Sequence, residues 1–130
     1  MRKLVAAVFL AAISTSVMAE WKQISSDKDS ATYVDASSAR KYGVKIKIWS
    51  LISFKTYQKD ANGHDYKSLM TYNEFNCADD EYRHTSYLSH SEEMGAGETV
   101  YSSTVKDAAW EPVPPGTIIS DIAKYACKVK

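Results

Sequence analysis

From Val44 to Phe54 the chain alternates with a period of two: Val44, Ile46, Ile48 and Ile52 share one parity, while Lys45, Lys47 and Trp49 occupy the other. Successive side chains of a strand point to opposite faces, so this segment reads as a strand with one apolar and one lysine-bearing face. A strand of that kind belongs to a sheet covered on one side only.

Shorter runs rich in aromatic and β-branched residues supply its neighbours. Trp21-Lys22-Gln23-Ile24 and Thr32-Tyr33-Val34-Asp35 precede it, separated by the polar turn Ser25 to Ser30. Asn62-Gly63 is a favoured two-residue hairpin turn, because both residues tolerate positive φ. Tyr66 to Cys77 then returns, with Leu69, Phe75 and Cys77 on one face; Tyr82 to Ser89 and Thr99 to Thr104 follow, with a bend or bulge at Met94-Gly95-Ala96-Gly97. Pro112-Val113-Pro114-Pro115-Gly116 cannot continue a central strand. Beyond the prolines the period becomes helical: Ile119, Ile122, Ala123, Ala126 and Cys127 fall on one face, with Asp121 early and Lys124 and Lys128 late, as the helix dipole favours. A helix of about ten residues does not persist alone in water and must dock on the sheet. The expected class is α+β, an antiparallel sheet of about six strands with a C-terminal α-helix.

The first nineteen residues read as an address rather than as structure. Arg2 and Lys3 open it, Leu4 to Ile13 is an unbroken apolar run, and Val17-Met18-Ala19 is a small-x-small cleavage site. The run is too short to span a bilayer, which takes about 20 residues. Residues 1–19 are therefore expected to be a secretory signal, and residues 20–130 a single exported domain. Glu20 follows the cleavage site where a lipid-anchored protein would carry cysteine, so no membrane anchor is expected after cleavage.

Cys77 and Cys127 both lie in the exported part, and an even count there reads as one disulfide. The alternative, two free thiols or a metal pair, finds no second Cys or His at ligand spacing. With Cys127 on the apolar helix face and Cys77 on the apolar strand face, the bond would bolt helix to sheet. Closing so long a loop stabilises by about 4 kcal/mol in the chain-entropy model.

The chain is neutral overall, but the charges are divided. Residues 40–67 hold seven basic groups against Asp60 and Asp65, and residues 74–111 hold nine acidic groups against Arg83 and Lys106. Catalytic chemistry finds little support: there is no Gly-x-Ser-x-Gly elbow, Glu92 and Glu93 are adjacent and would diverge on a strand, and Gly95-Ala96-Gly97 lacks a following helix. Asp60, Asn62, His64 and Asp65 resemble a calcium loop only weakly. His84 and His90, placed with Tyr82 and Ser86 on one strand parity, would stand about 20 Å apart, too far to share an ion. No enzyme activity, metal or cofactor is expected.

The order of short motifs resembles the surface-adhesin protein E family of exported proteobacterial proteins. The motifs are Trp21, Tyr33-Val34-Asp35, the long strand with Trp49, Asn76-Cys77, Arg83, Ser91 with Met94-Gly95-Ala96-Gly97, Trp110, Val113, Pro115-Gly116 and Cys127. The resemblance implies a twisted antiparallel sheet whose C-terminal helix is tied down by the single disulfide. The family's namesake is a lipid-anchored adhesin that binds host matrix proteins, so the resemblance implies binding rather than catalysis.

Binding is thus the expected function, through a face formed by Lys41, Lys45, Lys47, Trp49, Lys55 and Lys59. Basic side chains beside an aromatic suit sulfated glycans, acidic protein surfaces or anionic lipid headgroups. Nucleic acid is not an expected partner of a slightly acidic exported chain. The alternative is a structural or assembly accessory role in the periplasm, with a homodimer favoured by the opposed charge blocks. The periplasm is the expected location, the cell surface or secretion the alternatives.

Overall fold

The computed structural model describes residues 19–130. The expected signal segment lies outside the described residues except for Ala19. Six strands follow one another as an antiparallel meander: β1 (Trp21–Ser26), β2 (Ser30–Tyr42), β3 (Lys45–Lys59), β4 (Asp65–Asn76), β5 (Glu81–His90) and β6 (Thr99–Thr104). A two-residue strand, β7 (Glu111–Pro112), pairs with the start of β5, and helix α1 (Ile118–Ala126) closes the chain. Pro112 is thereby confined to an edge, where its missing N–H costs no ladder bond.

The apolar parity of β3 faces α1. Val34, Ile46, Ile48 and Phe75 of the sheet and Ile122 and Ala126 of the helix form the core, each at most 2 % exposed. Burying such a side chain contributes about 1.5–3 kcal/mol for the larger residues. Thr117 caps α1 by accepting from the Ser120 N–H at 3.3 Å. Cys77 and Cys127 are bonded, with Cα atoms 5.8 Å apart, and tie the last turn of α1 to the end of β4.

Register shifts interrupt five of the strand pairings, and those in β2 and β5 change the faces near the site from what simple alternation predicts. Strand β2 runs thirteen residues instead of stopping at Asp35, because a bulge between Asp35 and Arg40 lets pairing with β3 resume. Asp35 holds this bulge: its Oδ1 accepts from the Ser37 N–H at 3.0 Å, and Ser38 Oγ accepts from the Trp49 N–H at 2.9 Å. On β5 the pairing jumps from Tyr72↔Ser86 to Asn73↔His84, leaving Thr85 as an extra residue. His84 and His90 consequently lie on opposite faces, not on one. Val44, expected on the apolar face, is 55 % exposed in the turn that precedes β3.

Met94-Gly95-Ala96-Gly97 bends the chain between β5 and β6, as expected, and is not a bulge. It forms a 3-10 turn (Glu93–Gly95) strapped across the face opposite α1. The Met94 N–H donates to Ser53 Oγ (3.1 Å), the Gly95 N–H to Ser68 Oγ (2.9 Å), and Ser68 Oγ to the Glu92 carbonyl (2.6 Å). Gly97 has φ +77°, and a Cβ there would stand 2.2 Å from Ser91 Oγ, so only glycine closes the strap. Beneath it Leu51 is fully buried, away from the main core.

Candidate binding face

The strap covers only one end of the sheet face that turns away from α1. At the other end β3 presents Lys45, Lys47 and Trp49, whose partners on β4 are Asn76, Glu74 and Tyr72. Directly opposed residues in an antiparallel pair share a face, so these six side chains stand together. Trp49 and Tyr72 stack with ring centroids 4.9 Å apart. Beyond them the pairs Tyr42↔Lys45 and Glu74↔Arg83 bring in β2 and β5.

Glu74 organises the group. It is 1 % exposed, yet it lies on the face without a helix because its neighbours close over it. Arg83 grips its Oε1 with Nε at 2.8 Å and Nη2 at 2.6 Å. Lys47 Nζ stands 3.6 Å from Oε2, and the Tyr42 hydroxyl donates to the same oxygen. Burial pushes the Glu74 carboxyl up, but the Tyr42 hydroxyl, Arg83 and then Lys47 outweigh it and hold it below its ordinary value. Tyr42 is pushed up to about 12, by burial first and by its bond to Glu74 next.

Trp110 roofs one side. The Arg83 guanidinium lies 4.4 Å from its ring centroid and Lys45 Nζ 5.4 Å, while Arg83 Nη1 also donates to the Ala108 carbonyl at 3.2 Å. Lys47 Nζ sits 5.7 Å from the Tyr42 ring. One carboxylate therefore anchors two cations, Arg83 and Lys47, and Lys45 joins them through the Trp110 ring. Among the described residues Lys45 has no carboxylate within ion-pair distance. The surface is basic and aromatic, suited to bind anions.

Not every lysine expected on this face joins it. Lys41 pairs with Ile46 and so projects on the α1 side, where its Nζ donates to the Val129 carbonyl at 3.4 Å. Lys55 lies past the strap, beside a hollow of about 190 Å³ shared with Met94 and Glu93. Lys59 is bound to Asp65 at 2.8 Å near the tip of the β3–β4 hairpin. Conversely, Tyr42, Tyr72, Glu74, Arg83 and Trp110 belong to the face and escaped the reading of β3 alone. The polar parity of Tyr66–Cys77 already set Tyr72 and Glu74 opposite Phe75, but their partners depend on register.

The surface-adhesin protein E family matches residues 21–128. The chain belongs to that family. Solved structures of Haemophilus influenzae protein E share the fold. One, from the non-typeable organism, is 15 % identical with a TM-score of 0.60, over 87 % of this chain and 78 % of that one. A second crystal form is 15 % identical with a TM-score of 0.62, over 87 % and 91 %. No curated protein matches the chain. At such identity the likeness speaks for the fold: an adhesin E sheet with its C-terminal helix and disulfide. Among the described residues no helix of this adhesin E protein is long and apolar enough to cross a membrane.

Proposed function

We propose that this adhesin E protein is a non-enzymatic binding module, released to the periplasm on signal cleavage, that recognises an anionic macromolecule through the open end of its sheet. The observation that carries the reading is the assembly of Lys47 and Arg83 on the buried carboxylate of Glu74, with Lys45 held over Trp110 and with Trp49 and Tyr72 beside them. Cations held in place by a carboxylate and by aromatic rings lose little freedom on binding, which is what preorganisation supplies. Sulfated glycans and acidic surfaces of host matrix proteins carry the complementary charge.

The test is titration of the immobilised exported protein with heparin and with matrix proteins at two salt concentrations. Lys45→Gln with Lys47→Gln should weaken binding by about tenfold, a change of about 1.4 kcal/mol, and the effect should shrink with added salt. Unchanged affinity in a variant that melts like the parent would refute the role given to this face. Protease treatment of intact cells, before and after opening the outer membrane, separates surface display from the periplasm.

A second reading, an accessory that self-associates in the envelope, draws on β6. Thr99–Thr104 is an edge strand without a charged residue, the kind that pairs with another strand. Light scattering of a monomer at high concentration and low salt would exclude it.

A further inference from the structure

The other edge of the sheet differs from β6 in having a wall beside it. Strand β1 pairs only with β2, and helix α1 packs against it. Between them runs a hollow of about 390 Å³ lined by Lys22, Ile24, Asp121, Lys124, Tyr125 and Lys128 among others. Asp121, Lys124 and Tyr125 of α1 and Lys128 in the turn just past it are spaced i, i+3, i+4 and i+7, beside the core-facing stripe of Ile119, Ile122, Ala123 and Ala126. Lys22 pairs with Val34, which places it on the α1 side of β1, and its Nζ lies 5.2 Å from the Tyr125 ring centroid. Among the described residues no hydrogen bond from outside β2 reaches the backbone of Trp21–Ser26 other than through the turn that follows it.

We infer that this groove is a second binding site, one that takes an extended acidic peptide segment of a partner protein as an added strand on β1. An edge strand offers a row of backbone donors and acceptors, and a neighbouring helix sorts the side chains of whatever pairs there. A strand added to β1 points alternate side chains toward α1, into the hollow. There Lys22, Lys124 and Lys128 outnumber Asp121, so carboxylates at alternate positions meet complementary charge. Ile24 and the Tyr125 ring give an apolar side chain between them a surface to cover. β1 is six residues long, which limits the paired segment to about the same length, or about 20 Å. Backbone pairing is what favours a peptide here: a glycan or lipid headgroup would use the lysines and leave the strand edge untouched.

The site is separate from the Glu74 face, and one experiment keeps the two apart. The purified exported protein is titrated with an N-acetylated octapeptide alternating glutamate and valine, with the lysine–valine counterpart as control, while amide exchange is followed residue by residue. The acidic peptide should bind, the basic one should not, and exchange of β1 amides should slow at least severalfold. Lys124→Glu with Lys128→Glu, both exposed, should weaken the binding that protects β1 about tenfold, whereas Lys45→Gln with Lys47→Gln should leave the β1 protection unchanged. Absence of binding overturns the proposal. So does binding that leaves β1 exchange unaltered, or displacement of the peptide by a heparin octasaccharide that itself fails to protect β1.

Discussion

Asn73 and Glu74 are consecutive residues of β4, 0 % and 1 % exposed, and they point to opposite faces of the sheet. Around Asn73, on the α1 side, the network is neutral and closed. Its Nδ2 donates to Ser50 Oγ (2.8 Å) and the Ile48 carbonyl (3.3 Å), Ser50 and Thr71 share a hydroxyl bond of 2.8 Å, and Thr71 Oγ1 donates back to Asn73 Oδ1 at 3.1 Å. Since Nδ2 is committed as donor, Oδ1 accepts from His84, which must carry its proton on Nδ1, at 2.7 Å. Around Glu74 the network is charged and reaches solvent through its cations. The first arrangement can do little except hold strands in register. The second holds them too, and also displays charge.

That contrast can be broken in several ways. Glu74→Ala has the largest expected effect, about 3 kcal/mol of stability measured by urea unfolding, because Arg83 and Lys47 lose their counter-charge while partly buried. The loss should shrink in high salt. Asn73→Ala should cost about 2 kcal/mol by leaving Ser50, the Ile48 carbonyl and His84 short of partners, and salt should not change it. Equal salt dependence of the two variants would refute the division. Tyr42→Phe removes one neutral donor from Glu74 and should cost about 1 kcal/mol in the same assay.

The smallest expected effect is on pH dependence, and it separates the faces by window. Burial lowers the His84 pKa, with the Glu111 carboxylate opposing, so the unfolded chain binds the proton more readily than the native one. Stability present above the ordinary histidine value of 6.5 should decline as pH falls through the lower native value. His90 shifts the same way, again by burial, so His84→Gln is best compared in a His90→Gln background. The Glu74 pKa is also lowered, from 4.5, so the stability it supplies is lost only in stronger acid. Asp27 and Asp60, held down chiefly by backbone N–H groups, titrate alongside it, and Glu74→Gln isolates its share. A parent and a Glu74→Gln variant with identical acid limbs would deny Glu74 its role.

Much of the fold was legible along the chain. Lys45, Lys47 and Trp49 do share the face away from the helix, and Ile119, Ile122, Ala123 and Ala126 do point inward, because periods of two and 3.6 are properties of local backbone geometry. The pairing of Cys77 with Cys127 followed from their count and from the faces they occupy. The strap was not legible: Met94 adopts φ 58°, and Ser53, Ser68 and Leu51 that receive the turn are distant in sequence. Nor was the side of Lys41, since the bulge between Asp35 and Arg40 resets the parity of everything after it.

From its own residues, then, the chain specified an alternating strand with a basic side, a short helix that had to dock, and two sulfurs placed to join them. Folding in three dimensions decided which cations meet. One extra residue at Thr85 turns Arg83 toward Glu74 and His84 toward Asn73, and no local rule foretells it, because a bulge is defined by the strand it faces.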